Sequence, residues 1–136
     1  MSDLKEATID WEWEGRRLFV VDANLFFLVL DGMLRRIPDE GTFLRLFKAV
    51  TDRADIVPTV LPLGPELDRD AELIQASDGR VYLVSGNERR HVRDQAAMCV
   101  YGFEESEVIG VPDEFVLAIP SGLPIPSEQW PAELGR

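Results

Sequence analysis

Two pairs of neighbouring arginines, Arg35-Arg36 and Arg89-Arg90, are the side chains best suited to recognition chemistry, and His91 follows the second pair directly. The planar guanidinium fork fits a carboxylate or a phosphate through two parallel hydrogen bonds. In a strand, adjacent side chains point to opposite faces, so one arginine of each pair can line a shared surface. The competing role is pairing with the many acids nearby. His91 is the only histidine and Cys99 the only cysteine. A zinc site draws several such ligands together, so neither a metal site nor a cofactor is expected. Ser85, His91 and Asp94 could be written as a Ser-His-Asp set. No Gly-x-Ser-x-Gly elbow surrounds Ser85, and no catalytic residue is assigned. Cys99 sits in Ala-Ala-Met-Cys-Val and is expected as a small core residue. Trp11, Trp13 and Trp130 offer flat faces that could stack on a carbohydrate or cover a protein partner.

The elements that must position these residues occur twice. Sliding the chain along itself by roughly 55 positions sets Leu18-Phe19 on Leu73-Ile74 and Phe26 to Val29 on Val81 to Val84. The same shift sets Asp31-Gly32 on Gly86-Asn87, Arg35 to Asp39 on Arg90 to Asp94, and Phe43 on Met98. After a one-residue slip, Val57-Pro58 falls on Val111-Pro112, and Leu61 to Pro65 resembles Ile119 to Pro124. In the second copy, Glu72 to Gln75, Arg80 to Val84 and Glu88 to Val92 read as strands. Ser85-Gly86-Asn87 reads as a hairpin turn, because Gly and Asn tolerate positive φ. Asp94 is placed to cap a helix over Gln95 to Tyr101 that Gly102 closes. Val108 to Val111 reads as a further strand and Pro112 to Ala118 as a helical turn. In the first copy, Phe26 to Leu30 and Leu34 to Ile37 form the hairpin, and Asp39 or Thr42 caps a helix running to about Val50. Asp22-Ala23-Asn24 before the apolar run could instead cap a buried helix; the internal repeat favours the strand. Upstream, Ile9 to Trp13 alternates perfectly and reads as an amphipathic edge strand.

The fold expected is therefore α+β, with two pseudo-repeats, each an antiparallel β-hairpin or meander followed by a short helix. Residues 1–126 form one domain, with pseudo-repeats over about 17–65 and 72–124. Residues 127–136 form a proline-containing tail that carries Trp130 and has no core of its own.

With 136 residues and 46% hydrophobic composition, the chain can bury a core without disulfide or metal. The net charge of −11 disfavours nucleic acid and anionic membranes as partners, because phosphates need Lys and Arg to neutralise them. The longest apolar run, Leu25 to Leu30, is far too short to span a bilayer. The opening Met1 to Glu6 lacks the basic and apolar regions of a signal peptide, and a lone cysteine suits a reducing compartment. A cytoplasmic location follows as the expectation.

The run Ala71 to Val92, with Asp78-Gly79-Arg80-Val81-Tyr82-Leu83-Val84 and Arg89-Arg90-His91-Val92, resembles one unit of a bacterial tandem-repeat family whose units read roughly "DGxVYLVxxGxKRHIPDPxTFxxLGF". Phe27 to Asp39 resembles the same unit, and Met98 to Phe103, Val111 to Glu114 and Ile119 to Pro124 are similar to its spacer. The likeness covers about residues 17 to 126, with Arg93 where the family has proline. It implies an accessory repeat of larger bacterial, surface-associated or phage-like assemblies, with no assigned catalytic residue. A second resemblance runs the other way. Leu18 to Asn24, with Asp22 after an apolar strand, and Tyr82 to Asn87 resemble strands of PIN-type nucleases. That likeness implies a metal-dependent ribonuclease using Asp22, Glu66, Asp70 and Asp78. The prolines at 58, 62 and 65 break the helices such an enzyme would need there. The reading favoured is a non-catalytic binding or assembly module that meets a protein partner or a second copy of itself through one or both termini.

Overall fold

Each copy begins with a three-stranded antiparallel meander whose tight turn is fixed by local chemistry. In a computed structural model that describes residues 11–127, the first meander is β1 (Arg17–Val20), β2 (Leu25–Leu30) and β3 (Met33–Ile37). The second is β5 (Glu72–Gln75), β6 (Val81–Ser85) and β7 (Glu88–Val92). Leu30 pairs with Met33 and Ser85 with Glu88, so each hairpin closes on two residues. Asp31 and Gly32 have φ of 59° and 73°, and Gly86 and Asn87 have 66° and 64°. Positive φ at both central residues matches the right-handed twist of the flanking strands.

A short helix follows each meander: α1 (Glu40–Leu46) and α2 (Gln95–Tyr101). Asp39 accepts the amide of Thr42 at 2.8 Å, and Asp94 accepts that of Ala97 at 2.9 Å, so both helices start on the same cap. A short strand then returns beside the first strand of its own unit. β4 (Asp52–Ala54) runs parallel to β1, and β8 (Ile109–Gly110) runs parallel to β5. The two sheets have the orders β3-β2-β1-β4 and β7-β6-β5-β8, which is one topology used twice.

Several sequence expectations shift. Phe26 to Leu30 is strand, but β1 does not align on β5 at the offset that aligns the hairpins. Phe19 pairs with Phe26 across residues 20–25, whereas the corresponding pair, Gln75 with Val81, spans residues 76–80. The second connection is one residue shorter, so Arg17 corresponds to Leu73 and Leu18 to Ile74. Helix α1 stops at Leu46 instead of Val50, because Phe47 leaves in an extended conformation to pair with Phe103. α3 (Asp113–Leu117) has no helical counterpart among residues 57–63. Trp11–Trp13 is a turn of 3-10 helix and not part of an edge strand. The Arg16 amide closes on the Trp13 carbonyl, and Gly15 at φ +87° redirects the chain into β1. Ile9 and Trp130 lie outside the described residues. Cys99 is exposed and not in the core. Helix α2 buries Ala97, Met98 and Tyr101, and at 3.6 residues per turn that face excludes Cys99.

The inner faces of both sheets share one core. It contains Leu28, Ile37, Phe43, Leu46 and Phe47 from the first unit and their counterparts Leu83, Val92, Met98, Tyr101 and Phe103 from the second. The outer faces carry separate clusters, one around Leu18, Phe27 and Leu61, the other around Ile74, Tyr82 and Val116. An approximate two-fold relation passes between Phe47 and Phe103, whose rings stack at 5.4 Å. Lys48 donates to the carbonyl of Gly102 at 2.9 Å, and Glu104 donates to that of Leu46 at 2.8 Å, one bond in each direction. The free edges of β3 and β7 are covered by the chain itself. Leu34 bridges to Leu63, Arg89 to Ser121 and Val92 to Ile125, which blunts two edges that could otherwise pair with another chain.

Candidate binding groove at the seam between the units

Strand alternation sends one arginine of each pair to the seam. Arg35 lies opposite Leu28 and Arg90 opposite Leu83, so the two are counterparts on β3 and β7. Both meet Asp31. Arg90 donates to the two carboxylate oxygens of Asp31 at 2.7 and 2.8 Å, and also to the carbonyls of Leu123 at 2.7 Å and Pro124 at 3.2 Å. Arg35 reaches Asp31 at 3.6 Å and donates its Nε to the carbonyl of Pro65. Burial pushes the Arg35 pKa down, against the pull of Asp31.

Behind Asp31 lies Glu14, a carboxylate that is only 6% exposed. It accepts the amides of Asp31 and Gly32, both at 2.9 Å, and the Tyr101 hydroxyl at 2.5 Å. Burial raises its pKa above the usual carboxylate range despite those three donors. Burial and then the Glu14 charge push the Tyr101 hydroxyl far above its ordinary value. Arg17 fills the other end of the seam, donating to Gly15 at 2.8 Å, Ala49 at 3.1 Å and Val100 at 3.2 Å. A Cβ at Gly102, which has φ +64°, would fall 2.2 Å from the Arg17 guanidinium. Only glycine allows both the helix end and this close approach.

The groove above this network has a volume of about 590 Å³ and runs between the two hairpins. Arg35, Arg90, Asp31 and Glu88 form its polar wall, and Met33, Pro65 and Leu123 its apolar one. A pocket of about 220 Å³ opens beside it toward Gly86.

The remaining residues singled out by type lie elsewhere. Arg36 is exposed on β3. Arg89 covers the Tyr82 ring at 5.2 Å and donates to the Ile119 carbonyl at 2.9 Å. His91 is tilted against the Tyr82 ring, with centroids 5.5 Å apart, and burial followed by the Arg80 charge lowers its pKa. Ser85, His91 and Asp94 each have separate partners: the Ser85 hydroxyl oxygen accepts the Asp68 amide, and Asp94 caps α2. Trp13 packs on the outer cluster of the first unit, with the Arg16 guanidinium 4.7 Å over its ring. Asp22, Glu66, Asp70 and Asp78 are all exposed. Among the described residues no three His, Cys, Asp or Glu side chains group as a metal site needs.

No family model, curated protein or solved structure matches this chain. Among the described residues no helix is long and apolar enough to cross a membrane.

Glu14, Asp31, Arg17 and Tyr101 were not singled out by residue type. Asp31 reads as a hairpin-turn residue, and Glu14 with Gly15 as the turn that follows Ile9 to Trp13. The one usable signal was the pairing of Arg35 with Arg90 by the internal shift, which places two guanidiniums at one locus.

Proposed function

We propose that this chain is a non-catalytic binding or assembly module and that its working surface is the groove between the two hairpins. The supporting observation is that counterpart residues of both units, Arg35 with Arg90 and Met33 with Glu88, face that one groove. A concave site with an apolar wall and a few fixed charged groups is the usual form of a ligand or peptide site. Leu123 on its rim is 60% exposed, which suits an apolar contact from a partner or a second copy of the chain.

The test is amide chemical-shift mapping on the whole chain against a library of small fragments and short peptides, together with sedimentation over a range of concentrations. Shifts clustered on Asp31, Arg35, Glu88 and Leu123, or self-association lost in Leu123→Glu, support the reading. Shifts confined to other surfaces count against the groove. Magnesium- or manganese-dependent cleavage of RNA that disappears in Asp22→Asn would replace the module by a nuclease.

A further inference from the structure

The Arg90–Asp31 pair has an incomplete twin. Arg35 stands on β3 where Arg90 stands on β7, and each donates its Nε to a carbonyl of the segment covering its strand edge. Asp31 and Gly86 likewise correspond, each being the first residue of a two-residue turn with φ near 60°. Each has its amide taken by a carboxylate, Glu14 at 2.9 Å for Asp31 and Asp68 at 2.7 Å for Gly86. The counterpart of the Asp31 side chain would therefore be a carboxylate at position 86. Glycine stands there instead, and a Cβ built on it would meet nothing within 4 Å. The space is real: the pocket of about 220 Å³ is lined there by Arg35, Pro65, Ser85 and Gly86, and the buried Leu30, Leu67 and Leu83 lie beneath it. Arg35, only 14% exposed, makes a single 3.6 Å contact to Asp31, whose two oxygens lie closer to Arg90.

We propose that this pocket binds the carboxylate of a small aliphatic acid, held by Arg35 in the place of the side chain that Gly86 lacks. The aliphatic part would lie against Pro65, the exposed apolar residue of the same pocket. Charge-assisted contacts to a largely dry guanidinium are the strong class of hydrogen bond, and Arg binds carboxylates through two at once. Asp31 beside Glu14 is the precedent within this fold for two carboxylates at one turn. Glu88 also borders the pocket and competes for Arg35.

This inference rests on the seam being a binding surface, and butyrate is a suitable probe. In spectra that report the arginine Nε–H groups of the whole chain, sodium butyrate at constant ionic strength should shift the Arg35 Nε–H and the Gly86 amide saturably. The dissociation constant should be millimolar, as about six heavy atoms allow. Butyramide, the uncharged isostere, should bind at least about tenfold more weakly, the loss of one charge-assisted pair. Arg35→Gln should abolish the butyrate response. Gly86→Asp should abolish it too, by supplying the carboxylate internally, and should raise the melting temperature. Asp31 already adopts φ 59° at the matching site, so Asp is admissible at position 86 even if Arg35→Gln fails to fold. Equal shifts with butyrate and butyramide, or butyrate binding that survives Gly86→Asp, would overturn the proposal. Groove binding by uncharged fragments with no carboxylate preference would overturn it while leaving the module reading intact. Absence of binding by any class would overturn both.

Discussion

Arg90 grips Asp31 through two parallel hydrogen bonds, 2.7 and 2.8 Å long, across 59 positions of chain. The pair ties the hairpin turn of the first unit to the returning strand of the second. Its guanidinium is 8% exposed, so water can do little for a lone partner.

Removing either partner should therefore cost far more than a surface ion pair does. Arg90→Met is expected to lower stability by about 3 kcal/mol, because Asp31 and the Leu123 and Pro124 carbonyls lose their donors. Arg36→Met, on the exposed side of β3, should change it by less than about 0.5 kcal/mol. Urea unfolding of the two variants checks the contrast, and equal effects would mean that the seam pair is energetically idle.

Two carboxylates should give the stability–pH curve opposite slopes. Glu14 has its pKa raised by burial, so the folded state holds its proton more tightly than the unfolded chain. Its contribution is fully present below the unfolded pKa of about 4.3 and is lost as pH rises through the folded value. Asp39 has its pKa lowered, first by the Thr42 amide it caps. Its contribution is present above the unfolded pKa of about 3.9 and is lost as pH falls through the folded value. Glu14→Ala should flatten the decline on the high-pH side, at a cost of about 2–3 kcal/mol for the stranded Asp31, Gly32 and Tyr101 donors. Asp39→Asn should flatten the loss on the acid side. Unfolding free energies measured from pH 3 to pH 7 test both signs.

The shared core should make unfolding a single event. Phe47→Ala is expected to cost about 3–5 kcal/mol, since the ring is 1% exposed and stacks on Phe103 of the other unit. Circular dichroism and near-ultraviolet signals should then melt together. A chain cut within residues 66–71, with only the first unit present, should show no cooperative transition, because Leu28, Ile37 and Phe43 would lose their cover. A folded first unit on its own would disprove the interdependence.

Gly102→Ala should destabilise by more than about 1 kcal/mol, from positive φ and the approach to Arg17 together. Gly79→Ala has φ +92° but nothing within 4 Å of the new Cβ, so it isolates the backbone part of that cost. Thermal melts of both proteins separate the two contributions; equal losses would remove Arg17 from the account.

What the chain declares locally, its sequence determined. The turns Asp31-Gly32 and Gly86-Asn87, the caps Asp39 and Asp94, and the helix end at Gly102 each depend on one to four neighbouring residues. Those residues carry their φ preferences and hydrogen-bonding groups wherever they stand. Repetition of these signals in one order was enough to read two like units and an α+β fold. The tertiary structure decided everything that depends on distant partners. Glu14 turns inward to meet Tyr101, 87 positions away, and Arg17 meets Val100, 83 positions away. The end of α1 is set by Phe103, and the exposure of Cys99 by which face of α2 meets the shared core. No periodicity encodes those contacts, because each exists only once the two units have closed on each other. For the same reason, the space at Gly86 becomes visible only beside its occupied counterpart at Asp31.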